Sequence, residues 1–224
     1  MAQKIKIGNL DLLCSTEGGL ERAAYILYPM DDLEVWIETA SRRYKTAIVC
    51  ITGMDWQNVF SPWPATGVPK GTPDFKGESP EFLQLLEQTI VPEAEKTFGI
   101  PPEAERTLFG VSMSGLFAVW QWIESDAFQN IASLSGSFWY EGFVEWMSRQ
   151  HIQHKEGKAF FLLGDEESKA KVKEFQSVAK DTAAVIELLK KAGIRTESQS
   201  VPGDHFTDPL GRLEKAFTGM YLNS

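Results

Sequence analysis

The chain has 224 residues, enough for one α/β domain with a sizeable core. A hydrophobic fraction of 43% and an aromatic fraction of 12% exclude a disordered chain. A formal net charge of −9 without any basic cluster argues against nucleic acid or an anionic membrane as partner, and no apolar run approaches membrane-spanning length. The first residues, Met-Ala-Gln-Lys-Ile-Lys-Ile-Gly, alternate instead of forming an apolar signal core, so a cytoplasmic protein is expected. Cys14 and Cys50 sit in apolar, strand-like runs and read as buried, reduced thiols.

Residues 3–14 alternate through Ile5, Ile7, Leu10 and Leu12 and read as an edge strand or hairpin arm. Residues 23–28 read as a second strand stopped by Pro29, with a turn at Asp31-Asp32. Residues 46–52 are a continuous β-branched apolar run, the mark of a strand buried on both faces of a sheet. The stretch from Met54 to Ser79 holds four prolines but also Trp56, Phe60, Trp63 and Phe75, which predicts a long loop ordered by its own aromatics. A helix is predicted over 79–97, opened by Ser79-Pro80 and ended by Gly99. Next come a strand at 107–111, a helix at 113–125, a strand of small residues at 130–135 and a helical segment at 140–149. A strand at 158–163, a long helix over 169–192, an alternating strand at 195–201 and a last helix at 209–222 complete the chain. Strands alternating with helices predict one α/β domain over 1–224, a mostly parallel twisted sheet with helices on both faces and antiparallel N-terminal strands.

In open parallel sheets chemistry gathers at the carboxyl ends of the strands, so the residues just after each strand are the candidates for a site. After 107–111 the chain reads Gly110-Val111-Ser112-Met113-Ser114-Gly115, a strand-to-helix elbow that would lift Ser112 out of the sheet and aim the Met113 N–H at whatever Ser112 attacks. Gly110 and Ser114 must be small because the turn brings two backbones together; Ser114 is read as spacing. After 158–163 come Gly164-Asp165-Glu166-Glu167, and after 195–201 come Gly203-Asp204-His205-Phe206. A serine hydroxyl needs a base to accept its proton, and an imidazole does that near neutral pH. A carboxylate must in turn orient the imidazole and stabilise its charged form. The order Ser, acid, His along the chain is the one used by the α/β-hydrolase fold. Among the three adjacent carboxylates the residues alone leave the acid open, with Glu141 after the preceding strand a further candidate. A second oxyanion donor is expected from the loop after 46–52, at Asp55 or Trp56. Trp63, Phe138, Trp139 and Phe206 are candidate walls of a substrate pocket, or simply core. His151 and His154, spaced i, i+3, read as a solvated helix end, so neither metal nor cofactor is expected.

The elbow, the segment Leu163 to Glu167 and the segment Pro202-Gly203-Asp204-His205-Phe206 together resemble the esterase D and enterochelin-esterase-like branch of the α/β hydrolases, over most of residues 46–210. The loop Trp56…Ser61-Pro62-Trp63-Pro64 is similar to one in small bacterial members. The resemblance implies a three-layer α/β-hydrolase fold without a large lid. It also implies a serine esterase acting through an acyl-enzyme on a small or siderophore-like ester, with Glu167 as the acid beside Ser112 and His205. The chain departs from the family pattern at Ser114, where the second elbow glycine usually stands. An acyltransferase or thioesterase on the same three residues, or a hydrolase-fold protein that binds without turnover, are the competing functions. A small-molecule ester is the expected partner, with a monomer or homodimer as the assembly.

Overall fold

The computed structural model describes residues 1–28, 33–153 and 155–222. The strand stop at Pro29, the turn at Asp31-Asp32 and the histidine His154 lie outside the described residues. The N-terminal alternation forms a complete hairpin, β1 (Gln3–Ile7) paired antiparallel with β2 (Leu10–Ser15). β3 (Arg22–Leu27) is not an arm of that hairpin. It is buried almost throughout and lies parallel to its neighbours on both sides.

A helix unforeseen in the sequence, α1 (Leu33–Tyr44), connects β3 to β4 (Ala47–Thr52). It buries Leu33, Ile37, Ala40, Ser41 and Tyr44, the recurring three- and four-residue spacing of one apolar face. The predicted long loop contains a one-turn helix α2 (Trp56–Val59) and two short paired strands, β5 (Pro64–Ala65) and β6 (Phe75–Lys76). Its aromatics are used as expected: Phe60 is fully buried against Trp56, Phe82 and Phe117. The next helix runs from α3 (Ser79–Leu85) through a π-turn (Leu86–Ile90) into α4 (Val91–Phe98), ended by Gly99 in the left-handed region.

β7 (Glu105–Val111), α5 (Met113–Glu124), β8 (Asn130–Leu134), α6 (Phe143–Arg149) and β9 (Lys158–Gly164) come in the predicted order. The predicted helix over 169–192 is shorter. Two 3-10 turns (Glu167–Lys169 and Glu174–Ser177) precede α7 (Val178–Lys191). The spacing of Val172 and Phe175 is helical, but Phe175 turns onto Trp139 instead, with ring centroids 4.5 Å apart. β10 (Arg195–Val201) and α8 (Pro209–Tyr221) close the chain.

Among the described residues the main sheet has eight strands in the order β1-β2-β4-β3-β7-β8-β9-β10, parallel from β4 to β10. Alternate residues of each central strand serve opposite layers. Tyr25, Val49 and Leu108 face α3, α4, α5 and α7, whereas Ala24, Ile48 and Phe109 face α1 and α8. Phe109 stacks on Phe217 of α8 at 4.2 Å, with both rings fully buried. Each such ring contributes about 1.5–3 kcal/mol through burial. The strand order reverses at β3 and β7, so a crevice opens at the carboxyl end of β7, where Ser112 stands.

Candidate active site

Strand register brings the site together. Val111 pairs with Leu134, Leu134 with Leu162, and Gly164 with Val201, so the residues after β7, β8, β9 and β10 emerge side by side. Ser112 has φ 55 and ψ −120, and Ser135, one strand away, has φ 50. Positive φ at a residue with a side chain costs on the order of 1–3 kcal/mol and persists only where the surroundings impose it. Here the Ser112 N–H donates to the Leu134 carbonyl at 3.0 Å, and the Ser112 carbonyl accepts from Leu116 at 3.1 Å and Ser137 at 3.0 Å. A Cβ on Gly110 would stand 2.1 Å from the Ser114 carbonyl oxygen, so the elbow closes only with glycine there.

Ser114 does more than save space. It is fully buried; its Oγ accepts the Val111 N–H at 2.8 Å and donates to the Leu27 carbonyl of β3 at 2.6 Å. Ser114→Ala leaves both backbone groups without their partner, a loss of about 1–3 kcal/mol. We expect a lower urea midpoint for that variant with Ser112 still reactive toward a phosphonate probe; an unchanged midpoint would return Ser114 to a mere spacer.

Glu167 is the best-tied carboxylate of the three candidates. Its Oε2 lies 3.0 Å from His205 Nδ1, while Oε1 accepts from Ser135 Oγ at 2.6 Å, the Gly164 N–H at 2.7 Å and Arg212 Nη1 at 2.7 Å. Asp165 and Glu166 are engaged elsewhere: Asp165 accepts the Gly203 N–H at 2.9 Å, and Glu166 pairs with Lys169 at 2.8 Å in solvent. The Glu141 side chain is exposed. Burial pushes the Glu167 carboxyl up, but the hydrogen bonds from His205, Ser135, Gly164 and Arg212 outweigh it and hold the group at about 2.

A carboxyl held this low stabilises the fold fully above its ordinary value near 4.5, and the contribution is lost as pH falls toward 2. The size is about 3 kcal/mol. Denaturant unfolding at pH 6 and pH 3 should therefore show a steeper acid loss for the wild type than for Glu167→Gln; equal slopes would contradict this.

Ser112 and His205 line one cavity of about 740 Å³, together with Ser135, Trp139, Val172, Phe175 and Phe206. Among the described residues no hydrogen bond joins Ser112 to His205. The Ser112 Oγ is 3.2 Å from Ser137 Oγ instead, and the His205 side chain is one-third exposed. Met113 is the first residue of α5, where backbone N–H groups lack helical partners.

The remaining candidates divide into those that line the cavity and those that do not. The strand flanking β7 is β3, not β4, so Asp55 and Trp56 begin one strand too far out. The Asp55 carboxylate accepts from Asn58 Nδ2 at 2.8 Å, the Trp56 ring packs on Phe60, and neither lines the cavity. Trp63 donates from Nε1 to the Glu141 carbonyl at 3.0 Å and packs on Tyr140, Phe143 and Trp146, bracing the segment after β8 from behind. Phe138 is core, against Phe143 and Phe161. Trp139 and Phe206 do reach the cavity. Ser135, Ser137 and Arg212 were not singled out in the sequence. Of these, only Ser135 and Ser137 carried a signal, as small residues after a strand end.

A reversal of strand order at the elbow, with helices on both faces, defines an α/β hydrolase. The chain belongs to the Esterase family, whose model matches residues 30–213, and it is an esterase. It is 26% identical to the uncharacterized protein YbbA of Bacillus subtilis over 168 residues, 73% of this chain and 67% of that protein. In fold it is similar to an IroE-like serine hydrolase from Shewanella oneidensis, with TM-score 0.76, 15% identity, and coverage of 100% of this chain and 80% of that one. It is also similar to the siderophore hydrolase EstB from Aspergillus nidulans, with TM-score 0.76, 15% identity, and coverage of 98% and 95%. Among the described residues no helix is long and apolar enough to cross a membrane.

Proposed function

We propose that the chain hydrolyses a small or siderophore-like carboxylic ester through an acyl-enzyme on Ser112. The observation that carries this reading is the Glu167–His205 hydrogen bond at the rim of the cavity onto which Ser112 opens. Ser112 Oγ attacks the ester carbonyl carbon while His205 Nε2 takes its proton. Glu167 holds the proton on Nδ1, so Nε2 presents its lone pair, and it stabilises the imidazolium once formed. The Met113 N–H is the first donor to the oxyanion. The imidazolium then protonates the leaving alcohol, and a water activated by His205 releases the acid. Trp139, Phe175, Val172 and Val178 form the apolar side of the cavity and suit an apolar or aromatic acyl group. Two free, buried cysteines fit a reducing compartment such as the cytoplasm.

The test is labelling with a fluorophosphonate and then a panel of p-nitrophenyl, aryl and siderophore esters, with and without acceptor alcohols. Labelling on a single serine and hydrolysis of at least one ester class supports the reading; a folded, unlabelled and inactive protein overturns it.

A further inference from the structure

The guanidinium of Arg212 sits beneath the acid and base, on the first turn of α8. Its side chain is 5% exposed and that of Glu167 2%. Nη1 donates to Glu167 Oε1 at 2.7 Å and to Ser135 Oγ at 2.7 Å, and Nη2 donates to the Asp204 carbonyl. One planar group thus ties the ends of β8, β9 and β10, the last two of which carry Glu167 and His205. Only an arginine offers donors in a fixed fork to three such acceptors. Burying an ion pair is a poor way to stabilise a fold, since an apolar side chain at the same place avoids the desolvation cost.

We propose that Arg212 is a positioning residue for the esterase reaction. It anchors Oε1 of Glu167 so that Oε2 stays aimed at His205. The proposal rests on the reading of Ser112, His205 and Glu167 given above. Oε1 is fully occupied by Ser135, Gly164 and Arg212, which leaves Oε2 to the imidazole. A Cβ on Gly164 would stand 2.5 Å from Arg212 Nη2 and 2.9 Å from Glu167 Oε1, so the backbone of β9 is itself cut to fit the pair.

The other charged groups nearby are few. Asp165, Glu166, Lys169 and Lys171 on the segment after β9, and Asp204 in the turn with His205, are all exposed and screened by solvent. Tyr28, after β3, is half-buried and feels the Arg212 charge; burial raises its hydroxyl and Arg212 partly offsets this. The charge that reaches Glu167 and His205 through buried contacts is therefore that of Arg212.

The experiment compares Arg212→Met, Arg212→Lys and Glu167→Gln with wild type in kcat, KM and the thermal midpoint. For Arg212→Met we expect kcat to fall roughly 10–100-fold, the scale for partners that orient a reacting group, with KM within about twofold. Arg212→Lys keeps the charge but loses the fork, so kcat should be only partly restored. A folded Arg212→Met with wild-type kcat overturns the proposal. Should Arg212→Met fail to fold, Arg212→Lys decides: a lower kcat at unchanged KM supports the proposal, and a wild-type kcat overturns it. Glu167→Gln separates the acid assignment from the role of Arg212. If it is silent, the acid assignment fails and the proposal with it; if it is severe while the Arg212 variants are silent, only the proposal fails.

Discussion

Replacing Ser112 by Ala is expected to abolish both turnover and phosphonate labelling while leaving the fold intact. The loss should be on the order of 10⁵-fold or more, because without the hydroxyl no acyl-enzyme can form and the base has nothing to activate. The fold should tolerate the change. Among the described residues the Ser112 side chain makes one hydrogen bond, to Ser137 Oγ, and the strained backbone is held by main-chain hydrogen bonds that alanine also makes. Far-UV and near-UV circular dichroism should match the wild type. Labelling is the sharper readout, since it asks about the nucleophile without knowledge of the substrate. A probe that still labels Ser112→Ala would place the nucleophile elsewhere, with Ser137 the first to test because its Oγ is 3.2 Å away.

Much of this site was legible in the sequence, and the parts that were not have a common cause. Ser112 could be read because it directly follows a buried apolar strand, and His205 because it stands in the Gly-Asp-His-Phe turn that ends the last strand. The topology of parallel sheets then places such residues together without knowledge of which strand neighbours which. The oxyanion expectation depended on that last point. The chain runs β2, β3, β4, but the sheet runs β2, β4, β3, and nothing local to residues 46–56 records that β4 is inserted between β2 and β3. α1 had a clear periodicity, yet it lies between two runs that pass for a simple hairpin continuation. Arg212 was invisible for another reason. An arginine in the first turn of an amphipathic helix normally faces solvent, and its burial arises only because the loops after β8, β9 and β10 meet over it. Ser114 was misjudged because its partner is the carbonyl of Leu27, 87 residues away.

Glu167→Gln is expected to lower kcat by about three to four decades, with KM little changed. The amide keeps the size of the side chain but reverses its chemistry at both ends. At Oε2 the group facing His205 must accept the hydrogen bond from Nδ1–H and balance the imidazolium; an amide nitrogen turned there donates instead and favours the tautomer with the proton on Nε2, which cannot accept from Ser112. If the amide oxygen faces His205 instead, the nitrogen meets the Ser135 Oγ–H, the Gly164 N–H and Arg212, donor against donors. Either orientation costs catalysis and leaves the buried arginine without its counter-charge; the second costs further stability, which a thermal melt beside the kinetics reads. The neighbouring carboxylates are the controls. Glu166→Gln removes an exposed pair with Lys169 and should change kcat by less than about twofold. Asp165→Asn keeps an oxygen to accept the Gly203 N–H and should be nearly as mild. A large loss at Asp165 alone would move the acid there, and near-wild-type rates in all three variants would leave Ser112 and His205 acting without a carboxylate from this segment.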